Sequence, residues 1–136
     1  MPHNLYEVLT FDRKGGADGT LTMFQEGEGL PFPIKKVLVV TDVDQTAVRG
    51  KHAHKTVQEI VVAIKGGCMV EVTDGTHTAS EVLDSPTKAI LLPGPVWRTL
   101  KDFQPDTILL IIADGVYDEN DYLRDYDEFL AFVGKK

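Results

Sequence analysis

Only one cysteine, Cys68, occurs in the 136 residues, so no internal disulfide can form and no Cys cluster of metal-site spacing exists. A reducing, cytoplasmic setting is expected. No apolar run approaches the ~20 residues needed to span a bilayer. The opening MPHNLYEVLTFDRKGG also lacks the basic start and apolar stretch of a secretory signal. Neither membrane insertion nor secretion is expected. Basic residues are in deficit, with 14 Lys and Arg against 21 Asp and Glu and a net charge of -7. A polyanion would need a concentrated basic footprint, so nucleic acid is not an expected partner. The glycine-rich stretch 14–19 lacks the GK[ST] ending of a phosphate-binding loop. What remains, 43% hydrophobic and 26% charged residues, is the composition of a globular protein. Since a domain takes roughly 100 to 200 residues, one domain over 1–136 is expected.

The apolar material comes in short, β-branched runs at 34–43, 58–67, 68–75, 88–94 and 106–115. Each has strand length and ends in Gly, Pro or Asp chemistry. Turn signals such as Lys65-Gly66-Gly67 and Asp84-Ser85-Pro86 separate them, leaving little room for crossover helices, so the strands should pair antiparallel. Residues 5–10 and 20–25 add two candidate strands around the glycine-rich loop. The run Ile108 to Ile112 is apolar throughout, the pattern of a strand buried on both faces or at a subunit contact. Near the C-terminus, Asp118 to Asp121 offers N-cap chemistry. Tyr122, Leu123, Tyr126, Phe129, Leu130 and Val133 then recur at helical spacing up to Gly134. An all-β jelly-roll barrel of the cupin kind with one short C-terminal helix collects these elements.

The densest chemical signal is Arg49-Gly50-Lys51-His52-Ala53-His54-Lys55. Two histidines at i and i+2 on a strand share a face. If that face lines the barrel, they form a plausible acid/base pair. His54, four residues, Glu59, six residues and Gly66 also fit the first cupin motif, whose histidines and glutamate hold a metal. Arg98 stands where a further histidine ligand is usual, and an inward guanidinium would oppose a divalent ion. No metal or other cofactor is therefore expected. His77 reads as a surface residue and His3 as part of a loose end.

RGKHAHK, followed by LLPGPVW and by VYDENDYLRDYDEF, resembles the cupin 3,4-ketoisomerases that act on dTDP-4-keto-6-deoxyhexoses in deoxysugar biosynthesis. The likeness runs from about residue 18 to residue 132. It implies a metal-free isomerase with a dTDP-linked keto-deoxysugar as substrate, and a homodimer whose N-terminal strands are exchanged. It also implies His52 and His54 as catalytic residues, with Arg49 and Arg124 on the diphosphate. Trp97, Arg98, Tyr117 and Glu59 complete the expected substrate pocket, with Trp97 or Tyr117 available to stack on a base. The sequence departs from the usual family pattern at Asp18-Gly19-Thr20-Leu21, at Lys36-Val37-Leu38-Val39, at Glu59 and at Arg98. A nucleotide-sugar epimerase, a non-catalytic nucleotide-sugar-binding cupin and a metal-dependent cupin are the alternative readings of the same residues.

Overall fold

In the computed structural model, residues 5–134 are described; His3 lies outside them. The strands are β1 (Glu7–Thr10), β2 (Arg13–Gly16), β3 (Gly19–Thr22), β4 (Gln25–Glu26), β5 (Gly29–Leu30), β6 (Lys36–Val40) and β7 (Arg49–His54). They continue with β8 (Glu59–Lys65), β9 (Cys68–Thr73), β10 (Thr78–Leu83), β11 (Lys88–Leu92), β12 (Trp97–Lys101), β13 (Ile108–Ala113) and β14 (Tyr122–Leu123). Among the described residues one α-helix, α1 (Tyr126–Phe132), follows β14.

Two five-stranded antiparallel sheets carry the architecture, in the orders β1-β11-β8-β13-β6 and β10-β9-β12-β7-β14. They face one another across a core in which Val61, Ile90, Leu92 and Leu109 of the first sheet meet Val70, Val72, Leu83 and Leu100 of the second. The expected all-β cupin jelly roll is thus present, but as a double-sheet sandwich whose hydrogen bonding does not close into one barrel. The outer face of the first sheet is covered as well. Ile60, Val62, Leu91 and Ile112 lie under Phe11, Leu30 and Phe32 from the N-terminal third. Apolar packing on both faces explains why β13 is apolar throughout, with Leu109 and Ile112 buried on opposite faces and Leu110 and Ile111 half-buried beside them.

Three local expectations need correction. The glycine-rich stretch is no free loop, because β2 and β3 pair as a hairpin with Gly16 opposite Gly19. The short β4–β5 pair is parallel, not antiparallel. The C-terminal helix begins later than its apolar spacing suggests. Asp118 caps only a 3-10 turn over Glu119–Asp121, and Tyr122 and Leu123 leave it as a strand. They pair with His54 and Ala53 of β7. The α-helix is capped by Asp125, whose carboxylate accepts from the Glu128 N–H at 3.0 Å. Its Phe129 packs with Ala53 and Leu123 behind β7.

Candidate active site

The second sheet positions the polar residues, and one irregularity in β7 decides which of them meet. Strict alternation would send Arg49 and His52 to opposite faces, being three apart. Opposite β12, however, Arg49 pairs with Leu100, Gly50 with Thr99 and His52 with Arg98, so Lys51 is an extra residue with no partner across the ladder. This bulge resets the alternation, and Arg49 and His52 both enter one cavity. Gly50 (φ 80°) and Lys51 (φ 56°) carry the left-handed backbone it requires. A Cβ on Gly50 would stand 3.0 Å from the Arg98 carbonyl oxygen and 3.1 Å from Leu100 Cδ1, so close approach of β12 also calls for glycine there.

The cavity, of about 350 Å³, opens between the sheets. Its polar lining is Arg49, His52, Glu59, Arg98, Tyr122 and Arg124; Leu38, Val61, Leu109 and Ile111 supply an apolar wall. A mostly apolar cleft with a few convergent polar groups is the usual form of a small-ligand site.

His52 and His54 share a face as the spacing predicts, their rings 5.1 Å apart and edge to face. Their positions are unequal. His52 lines the cavity, and its Nδ1 lies 3.1 Å from the Gly50 carbonyl oxygen. That oxygen can only accept, so Nδ1 carries the proton and Nε2 presents a lone pair. Burial, then the neighbouring Arg98 charge, pull the His52 pKa down to about 4. His54 sits behind it at 1% exposure and does not line the cavity. Its Nδ1 is 3.1 Å from Asp121 Oδ2, and its Nε2 is 3.4 Å from Glu59 Oε2. Tyr122, set opposite His54 by the β14–β7 pairing, brings its ring to 4.5 Å from His54 and 5.2 Å from His52.

Arg98 and Glu59 are both inside the protein, at 2% and 3% exposure, and Arg98 Nη1 donates to Glu59 Oε1. Burial works to raise the Glu59 pKa, but the His54 ring 3.4 Å away and the Arg98 charge prevail and hold it at about 2. Arg98 Nε and Nη2 find no acceptor among the described residues, although Arg98 borders the cavity. Arg98 thus brings a fixed positive charge and two unpaired donors to the wall of the cavity. His52, His54 and Glu59 offer ligand atoms all within 4.8 Å of one another, the trio of the cupin metal motif. The Arg98 guanidinium already occupies the Glu59 carboxylate, and a divalent ion would sit against that fixed positive charge. The residues present do not fit a metal.

At the mouth, Arg49 is exposed. The Arg124 guanidinium lies 4.1 Å from the Tyr122 ring centroid and donates to both Glu119 oxygens, at 2.8 and 3.0 Å. Tyr117 is 61% exposed and donates to Glu119 at 2.5 Å, with its ring 5.8 Å from that of Tyr122. It stands beside the mouth and is not part of the cavity lining. Trp97 does not line the cavity either. One step along β12 from Arg98, it points to the other face and packs on Tyr126 (5.2 Å) and Phe129 (5.7 Å) of α1. Its expected place in the pocket is thereby corrected to a helix-docking role. Asp121 and Tyr122 were not legible as site residues, because their apolar neighbours at helical spacing read as a helix face.

Comparison with known proteins agrees with this fold. Residues 4–134 match the family model described as FdtA: WxcM-like, C-terminal. The chain is 33% identical over 129 residues to a TDP-4-oxo-6-deoxy-alpha-D-glucose-3,4-oxoisomerase of Aneurinibacillus thermoaerophilus, covering 95% of this chain and 93% of that one. A 3,4-ketoisomerase structure from Helicobacter canadensis has a TM-score of 0.93 at 33% identity, covering 98% of this chain and 100% of the other. A mutant of QdtA, the 3,4-ketoisomerase of Thermoanaerobacterium thermosaccharolyticum, in complex with TDP-4-keto-6-deoxyglucose, has a TM-score of 0.92 at 27% identity, covering 96% and 94%. With a family model spanning nearly its whole length and a relative one third identical across 95% of it, the chain belongs to the FdtA, WxcM-like C-terminal family.

Proposed function

We propose that the protein is a sugar-nucleotide 3,4-ketoisomerase, moving the ketone of a dTDP-linked 4-keto-6-deoxyhexose from C4 to C3. The observation that carries this reading is His52, a cavity-facing imidazole with Nδ1 anchored and Nε2 free, beside buried Arg98 donors that lack a protein partner. The family relationship supports the substrate class, since the named relatives act on or hold TDP-linked keto-deoxysugars.

The chemistry follows from those atoms. The C4 carbonyl acidifies the C3 hydrogen, and His52 Nε2 takes that proton while the electron pair moves onto O4. The Arg98 guanidinium at the cavity wall offsets the resulting enediolate charge, in a site where burial strengthens such electrostatics. The O3 proton passes to the adjacent O4, the electrons reform a carbonyl at C3, and imidazolium returns its proton to C4. Atoms and charge balance without an external oxidant or a metal. His54, screened from the cavity, supports His52 from behind. Arg49 and Arg124 face the diphosphate, where guanidinium forks suit paired phosphate oxygens. In that role Arg124 exchanges the Glu119 carboxylate for phosphate.

Incubation with dTDP-4-keto-6-deoxyglucose in heavy water, read by carbon NMR, tests the reading. A new ketone resonance at C3 with deuterium at C4 is expected. Exchange at C3 with the ketone kept at C4 would make the protein an epimerase, and dTDP binding with neither exchange nor turnover would make it a non-catalytic binder. Replacing Arg49 or Arg124 with Gln is expected to weaken dTDP binding by roughly 10- to 100-fold in calorimetry, the worth of a charge-assisted bond. Unchanged affinity would move the diphosphate elsewhere. The reading includes a single-domain, cytoplasmic homodimer. The apolar side chains Val37, Leu38 and Val39, exposed on edge strand β6, support self-association, and sedimentation as a monomer would remove that part. Among the described residues, no helix is long and apolar enough to cross a membrane.

A further inference from the structure

We infer that Asp121 is a positioning residue for the proton transfer, acting through His54. The inference rests on the ketoisomerase reading. It starts from a carboxylate that is 9% exposed and fully engaged. Asp121 Oδ1 accepts from the Thr56 N–H at 3.0 Å and the Thr56 hydroxyl at 2.8 Å. Oδ2 accepts from the Val57 N–H at 3.2 Å and faces His54 Nδ1 at 3.1 Å. The Lys55 N–H donates to the Asp121 carbonyl at 2.8 Å. Four donors converge on one carboxyl group, so its place and orientation are set by the backbone following β7.

Such a carboxylate has acceptors only, so His54 Nδ1 must donate to it, and that bond fixes the plane of the ring. Nε2 is thereby turned toward Glu59, and the ring stands nearly perpendicular to that of His52. A buried row results, running Asp121, His54, Glu59, Arg98. Its far end is Arg98, which borders the cavity, and His52 and Tyr122 rest against its middle. A small tilt of the His54 ring would therefore move both His52 and Glu59, and through Glu59 the Arg98 guanidinium. Misplacement of this kind costs reactions far more than it costs binding.

The experiment uses the full chain and Asp121→Asn. An amide cannot accept all four bonds, because either orientation sets its NH2 against a backbone N–H. The expected result is a kcat lower by roughly 10- to 100-fold with KM and dTDP affinity within about threefold. Combined with His54→Asn, Asp121→Asn is expected to add little further loss of kcat, because its effect passes through His54. Nitrogen-detected NMR of the His54 ring gives a readout that needs no variant. The wild-type protein should show a protonated Nδ1 with a strongly deshielded proton, and the Asn variant should lose that deshielding. Three results would each overturn the inference: an unchanged kcat in a folded Asp121→Asn protein, losses that multiply in the double variant, or a wild-type His54 with an unprotonated Nδ1. If wild-type protein shows no turnover, the ketoisomerase reading fails instead, while the NMR result for Asp121 and His54 stands on its own.

Discussion

Turnover by His52→Asn is expected to fall about 10²- to 10⁴-fold, the usual contribution of a positioned general base, while dTDP affinity stays within about threefold. Asn keeps a polar group near the Gly50 carbonyl but has no lone pair where Nε2 stood, so proton removal from C3 is lost and binding is not. Solvent deuterium should likewise fail to enter the substrate. Affinity and exchange lost together would mean that His52 holds the ligand, and wild-type exchange would place the base elsewhere.

The same residue fixes an acid limb whose sign can be worked out. Its pKa lies at about 4 in the free protein, below the ordinary 6.5, because burial and Arg98 disfavour the imidazolium. His52 is therefore unprotonated at neutral pH and stays so well below it, and kcat/KM should not lose this base until pH approaches 4. Stability behaves differently. Between pH 6.5 and about 4 the unfolded chain binds the His52 proton and the folded chain does not, so stability declines as pH falls through that window. Replacing His52 with Asn removes this contribution and should flatten the fall of the thermal midpoint between pH 6.5 and 5. A slope identical to wild type would show that His52 is not held neutral.

Much of this is legible in the sequence. The β-branched runs became β6, β8, β9, β11 and β13, because burial on a pleated surface is what selects such residues. The shared face of His52 and His54 follows from strand parity alone. Other features had weaker local signatures. Strand β10 reads Thr-Ala-Ser-Glu-Val-Leu and lies at a sheet edge, where half its side chains are solvated, so it carries no apolar run. The bulge at Gly50-Lys51 is invisible to spacing, since it shows only in the register against β12. Residues 118–134 satisfied a helical period without being helical throughout. Tertiary pairing with β7 drew Tyr122 and Leu123 into a strand. The Asp125-x-x-Glu128 capping pattern could have dated the true helix start. Trp97 was misplaced for a simpler reason. It adjoins Arg98, and neighbours on a strand face opposite ways.

The Glu59–Arg98 pair should give the largest effect on stability. Arg98→Met leaves a carboxylate at 3% exposure without its counter-charge, and breaking one side of a buried pair costs about 3–5 kcal/mol. The double variant Glu59→Gln with Arg98→Met removes the stranded charge along with its partner and should recover most of that loss, as buried pairs replaced together often do. Urea denaturation of the three proteins measures it. A second consequence separates stranded charge from mere loss of packing. Arg98 is one of the influences that hold Glu59 at about 2, His54 being the other, so without Arg98 the Glu59 carboxyl rises and its folded form takes a proton more readily than it does in the wild type. The deficit of Arg98→Met against wild type should then shrink as pH is lowered below 5, through the carboxylate range, whereas a packing defect would not respond. A deficit under about 1 kcal/mol, or one independent of pH, would mean that water reaches Glu59 and that the cavity floor is not the dry electrostatic platform the proton transfer needs.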